Sequence, residues 1–117
     1  MIGEVMDTAT AAIAAAGLDV YTDPRDVNAP CCLVTVPVVE PALANGAGSA
    51  SVTVYVIAPD IGYRNAANVL DGMLTTLDAA GLLSDRLESD AVLVPGAPDG
   101  LPAYRYALEL TYEPTKG

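Results

Sequence analysis

The sequence predicts an α+β (α/β) fold: a mixed, mostly antiparallel sheet with two helices packed on one of its faces. Three observations lead there. Two stretches repeat apolar residues at helical spacing, several Val- and Tyr-bearing stretches alternate at strand spacing, and Gly or Pro punctuates most junctions between them. A length of 117 residues fits a single domain over 1–117. It is enough to bury a core without metal or disulfide staples.

The first helix is expected from Gly3 to Ala16. Ile2, Met6, Ala9, Ile13 and Ala16 recur at spacings of four and three and make one apolar stripe. Gly17 is a natural stop. Its outward positions include Thr8, Ala11, Ala12 and Ala15, so the helix is thin all round. Leu18 to Thr22 reads as a short strand. Asp23-Pro24 opens a turn, because proline pre-sets its own φ and Asp bonds the local backbone, and Pro30 closes that loop.

Cys31 to Val39 reads as a strand with Cys32, Val34, Val36 and Val38 on one face. Leu33 and Val39 make the other face apolar too, which describes a central strand or one covered by a partner. Pro37 argues for an edge position or a bulge near its end. Pro41 to Ser51 is a connection with Asn45-Gly46 and Gly48 as turn residues. Ser51 to Ala58 is the clearest strand, with Val52, Val54 and Val56 facing one way and Thr53, Tyr55 and Ile57 the other.

Asp60 supplies an N-cap region for a second helix, Tyr63 to Ala80. Its apolar stripe is Ala66, Val69, Leu70, Met73, Leu77 and Ala80, opposite Asn68, Asp71, Thr75 and Asp78, and Gly81 terminates it. Leu82 to Ser89 is a connection, Ala91 to Pro95 a strand and Gly96 to Pro102 a hairpin turn. Ala103 to Glu113 is the last strand. Tyr104, Tyr106, Leu108, Leu110 and Tyr112 share one face; Arg105, Ala107, Glu109, Thr111 and Glu113 share the other. Such alternation packs one face on the helices and leaves the other to solvent or a partner. The tail after Pro114 is expected to fray.

Composition narrows the function. Fifteen acidic residues against five basic ones give a net charge of −10. The cations Arg25, Arg64, Arg86, Arg105 and Lys116 are scattered, so no groove that grips phosphate is expected. Cys31 and Cys32 are adjacent and point to opposite faces of a strand. With no His and no other Cys, they read as two small buried residues rather than a zinc site. The N-terminal stretch carries Glu4 and Asp7 and lacks a basic start, so it does not read as a signal peptide. No apolar run is long enough to span a bilayer.

Reactive constellations are missing from the sequence. Histidine, the commonest general base, is absent. There is no glycine-rich phosphate loop followed by Lys and no nucleophile elbow. Acidic pairs such as Asp23 with Asp26 and Glu88 with Asp90 read as solvated surface in so acidic a chain. The chain is therefore not expected to be an enzyme, and no cofactor or metal is expected.

The helix–strand–strand–strand–helix–strand–strand order, the stretch TDPRDVNAPCCLVTVP after the first helix and the alternating AYRYALELTYE near the end carry a resemblance. Together they resemble the tail terminator proteins of long-tailed, siphovirus-type phages of actinobacteria, over nearly the whole chain. The resemblance implies a virion structural protein made in the host cytoplasm and placed at the head–tail junction. There it would cap the tail tube as a hexameric ring, stop tail growth and offer a surface for head attachment. It implies a homo-oligomer with the major tail tube protein and a head-side connector as partners. DNA passes the lumen without specific binding, and no membrane is involved. The implied subunit-interface or lumen residues are Arg105, Glu109, Glu88, Asp90 and Asp99. Two other readings stand beside it: a tail-completion or head–tail adaptor protein, and a small acidic protein-binding module.

Overall fold

The computed structural model describes residues 2–40, 48–84, 86–94 and 97–112. In chain order these form α1 (Ile2–Ala15), β1 (Val20–Tyr21), a 3-10 turn (Pro24–Asp26), β2 (Cys31–Val34), β3 (Val38–Glu40), β4 (Gly48–Ile57), α2 (Tyr63–Ala79), β5 (Glu88–Val94) and β6 (Ala97–Tyr112). The sheet runs β1-β2-β4-β6-β5, with β3 continuing the line of β2 beside β4. β1 and β2 are parallel, and the other described pairs are antiparallel. The predicted mixed sheet with both helices on one face is what the chain forms. The turn expected at Asn45-Gly46, residues 85 and 95–96 and the tail at 113–117 lie outside the described residues, as do the side chains of Val39, Asp99 and Tyr112.

Both helices press one stripe onto the same sheet face. Val5, Ala9 and Ile13 of α1 meet Ala66, Leu70, Met73 and Leu77 of α2 over Cys32, Val34, Val52, Val54, Val56, Tyr106 and Leu108. The predicted register of β6 therefore holds, with Tyr106 and Leu108 buried and Glu109 exposed. Each helix ends on a left-handed glycine, Gly17 at φ +94 and Gly81 at φ +72. After α2, the Leu82 N–H donates to the Leu77 carbonyl at 2.9 Å and the Gly81 N–H to that of Asp78 at 3.0 Å. This double closure satisfies the last carbonyls and folds Leu82 back onto the core.

Several expectations are corrected. The α1 stripe runs through Val5 instead of Met6, and Ile2 is half exposed. In so alanine-rich a helix the rotation is chosen by the groove it meets. Asp60 does not cap α2; the N-cap is Gly62, with no side-chain cap bond. β5 starts at Glu88 and β6 at Ala97, so within the stretch expected as a hairpin turn Ala97, Leu101 and Pro102 already pair with β5. There Val92 pairs with Leu101 and Val94 with Ala97, leaving three β6 residues opposite one on β5. Gly100, at φ +84, absorbs that irregularity.

The strand expected from Cys31 to Val39 is broken by a bulge. Val34 pairs with Val54 and Val38 with Ser51, so three residues (35–37) face two (52 and 53). Pro37, which has no N–H to pair, sits buried in the bulge. The extra residue turns Val38 away from the face of Cys32 and Val34. Val36 and Val38 stand 70% and 72% exposed.

The other sheet face carries a second, smaller core. Cys31, Leu33, Ile57, Val92 and Ala103 are buried there, with Tyr21, Val27, Ala29, Tyr55 and Leu101 packed against them. The cover is the 22–30 loop, whose 3-10 turn reaches across the sheet to β5. Asp23 starts that turn: its Oδ1 accepts the Arg25 N–H at 2.9 Å and its Oδ2 the Arg25 guanidinium at 2.8 Å. β2 is thus buried at all four positions, and this chain's own loop provides the cover.

Candidate functional site

The helix-free face, at the boundary of the loop's cover, gathers most of the sequence-predicted site residues. The register sets Glu88 of β5 directly opposite Arg105 of β6. Asp90, two residues further along β5, projects to the same side. Arg105 Nη2 donates to Glu88 Oε2 at 2.8 Å and Nη1 to Asp90 Oδ2 at 2.8 Å. Arg86 adds a third pair, its Nε donating to Glu88 Oε1 at 3.1 Å. A hollow of about 240 Å³ flanks this cluster, lined by Thr53, Ser84, Arg86, Glu88, Arg105, Tyr106 and Ala107.

The electrostatics follow from these contacts. The Arg105 guanidinium holds the Glu88 carboxyl below its ordinary value, with Arg86 assisting. The Ala91 N–H bonded to Asp90 at 2.8 Å lowers the Asp90 carboxyl first, and Arg105 adds to it. Both carboxylates push the Arg105 pKa up. Two arginines face two carboxylates, so the cluster is neutral. Its side chains are between 29% and 86% exposed, so its stabilising worth is small. Its geometric effect is to pin β5 to β6 and orient Arg105.

Glu109 stands apart. It lies four residues beyond Arg105 on the same side of β6, about 13 Å away at strand rise, opposite Ser51 and exposed. The structure therefore unites Arg105, Glu88 and Asp90, separates Glu109 from them, and places Asp99 on β6 without describing its side chain.

Little in this arrangement suits bond-making chemistry. Carboxylates held low by arginine are poor proton donors near neutral pH. Burial pushes the Cys31 thiol up to about 11 and the Cys32 thiol up to about 12, far from the thiolate a nucleophile needs. The buried Tyr106 hydroxyl is occupied, donating to the Leu82 carbonyl at 2.6 Å, and burial raises its pKa. Among the described residues no three His, Cys, Asp or Glu side chains gather as metal ligands. No described helix is long and apolar enough to cross a membrane.

Two features escape sequence reasoning. A groove of about 650 Å³ separates the N-terminal end of α2 from the β5–β6 pair, lined by Tyr63, Ala66, Leu70, Ala91, Leu101 and Tyr104 among others. It exists because small residues (Ala66, Ala67, Ala91, Gly100) face each other there, which only the pairing reveals. At its rim, Tyr63 is 93% and Ile61 45% exposed, beside the exposed Arg64. Arg86 also joins the ion cluster; its position two residues before Glu88 was the available signal. No known family model matches the chain, and comparison with curated proteins finds no significant relative.

Proposed function

We propose that this chain is a structural protein of a long-tailed phage that caps the tail tube as a hexameric ring, ends tube growth and presents the surface for head attachment. The observation that carries this reading is the resemblance over Asp23–Val39 and Ala103–Glu113. The architecture is compatible with it. One sheet face is committed to both helices, while the other keeps an uncovered half, and exposed Val38 and Leu93 lie on β3 and β5, which are edge strands among the described ones. Such faces and edges suit contacts between subunits. The net charge of −10 suits a channel through which DNA slides without sticking. Assembly on a tube end adds contacts that free subunits lack, so tube binding drives ring closure by linkage.

Deleting the gene from its phage tests the proposal. Loss of a terminator gives overlong or irregular tails unattached to otherwise normal heads. Tails of normal length that fail to join heads would reassign the chain to the tail-completion or adaptor class. Normal infectious particles would reject both and leave a small acidic binding module.

A further inference from the structure

We propose that copies of this chain associate head to tail through two unlike surfaces. One is the N-terminal end of α2, with Ile61, Tyr63 and Arg64. The other is the open corner of the helix-free sheet face, with Val38 and Glu109. Exposed side chains mark both. Tyr63 is 93% and Ile61 45% exposed on the first; Val38 is 72% exposed on the second, next to the bulge in which Val36 is 70% exposed. Aromatic and arginine side chains standing together in solvent are the composition of an interface anchor.

Charge selects the match. Arg25, Arg86 and Arg105 are each engaged by carboxylates of their own chain. Arg64 has no ion pair among the described residues. On the opposite surface, Glu109 has no ion pair among the described residues either. Val38, Ser51 and Glu109 form one row across β3, β4 and β6, so Val38 and Glu109 are two strand spacings apart, about 10 Å. That puts a carboxylate beside exposed apolar surface, the complement of an arginine beside an exposed tyrosine. Asp71 and Asp78 instead share the solvent face of α2 with Asn68 and Thr75, and offer an apolar anchor nothing.

Position selects a head-to-tail contact over a two-fold one. The α2 end follows the C-terminal end of β4, on the helix layer; the Val38–Glu109 corner lies toward the N-terminal half of β4, on the other layer. Surfaces on opposite sides do not meet within one chain, and a two-fold axis does not satisfy both at once. A heterologous contact repeated from copy to copy does, giving a ring if the rotation closes. The net charge of −10 opposes approach at long range. The contact therefore needs salt near physiological strength, where the Debye length is about 8 Å.

This contact stands on the surfaces named, not on the tail-capping role: the deletion phenotype reads the role, and the following experiment reads the contact. The Arg64→Lys chain, mixed from isotopically labelled and unlabelled halves at high concentration, is treated with a carbodiimide. That reagent joins a lysine amine to a touching carboxylate. The expected dominant inter-chain link is between residues 64 and 109, lost when Glu109→Gln is added. Links from position 64 scattered over other carboxylates, or no inter-chain link, overturn the proposal. An independent arm uses charge reversal. Arg64→Glu alone sets acid against acid and Glu109→Arg alone sets base against base, so each associates less than the unaltered chain. An equimolar mixture restores both attractions and associates more than either variant. A mixture no better than its components overturns the contact, with circular dichroism confirming that both variants fold.

Discussion

The helix-free face of the sheet has two halves built from the same strands, and they differ in what lies over them. Under the 22–30 loop, β4 and β6 present Tyr55, Ile57, Leu101 and Ala103. Beyond the loop, the same strands present Ser49, Ser51, Thr53, Ala107 and Glu109. The residues change from apolar to small and polar along one strand without any change in backbone pairing. The composition of a strand face thus records its cover, and the ladder beneath is indifferent to it. The ion cluster of Arg105, Glu88 and Asp90 sits near the boundary, beside Tyr55 on one side and Ala107 on the other.

Substitutions can break this contrast. The largest effect belongs to the covered half: Ile57→Ala removes a fully buried side chain and should destabilise by about 2–5 kcal/mol in urea unfolding. Next is the cover itself. Val27→Ala trims the half-buried contact of the loop and should cost about 1 kcal/mol. Because Cys31 belongs to the loop-covered core and Cys32 to the helix-covered one, native-state thiol labelling of this variant should reach Cys31 first. Equal acceleration at both thiols would show that the loop does not open independently.

The boundary gives a pH effect. Glu88 and Asp90 have folded pKa values below their ordinary 4.5 and 3.8. Their pairing therefore supports the fold above those values, and that support is lost as the pH falls through the depressed folded ones. Stability should fall more steeply with acid below about pH 4.5 in the unaltered chain than in Arg105→Gln. Parallel curves would mean the cluster is present without contributing. The smallest effect is expected on the open half, where Glu109→Ala should shift stability by no more than about 0.5 kcal/mol. A larger loss would mean that Glu109 serves the isolated fold as well as its surface.

How much of this was readable in the sequence depends on where local pattern decides. The alternation of Tyr104 through Leu110 specified the face of β6, because each polar residue between them is excluded from the helix side. The rotation of α1 was not readable, since Val5 and Met6 both extend a stripe through Ala9 and Ile13 and alanine elsewhere expresses no preference. Pro98, Asp99 and Gly100 spelled a turn by local rules, but Ala97, Leu101 and Pro102 on either side of them pair with β5, and the three are carried as an irregularity within β6. The ion cluster depended on register: Glu88, Asp90 and Arg105 were each visible as charges, and only the pairing of residue 88 with residue 105 brings them together. The exposed Tyr63 looked like any first-turn residue, because nothing local tells whether a neighbouring strand will cover it.

The bulge at Pro37 has a consequence for how this edge tolerates change. Alternation along a strand is a two-beat rhythm, and the bulge drops a beat. Before it, even-numbered positions are the ones the helix layer holds, and Val34→Thr would place a hydroxyl in a fully buried site. After it the parity is reversed, and Val38→Thr asks nothing of the interior. Two valines four residues apart, identical in any hydropathy profile, therefore live under opposite rules. A library of substitutions across 32–38 would show Cys32, Leu33 and Val34 intolerant and Val36 and Val38 tolerant, with the change falling inside the bulge.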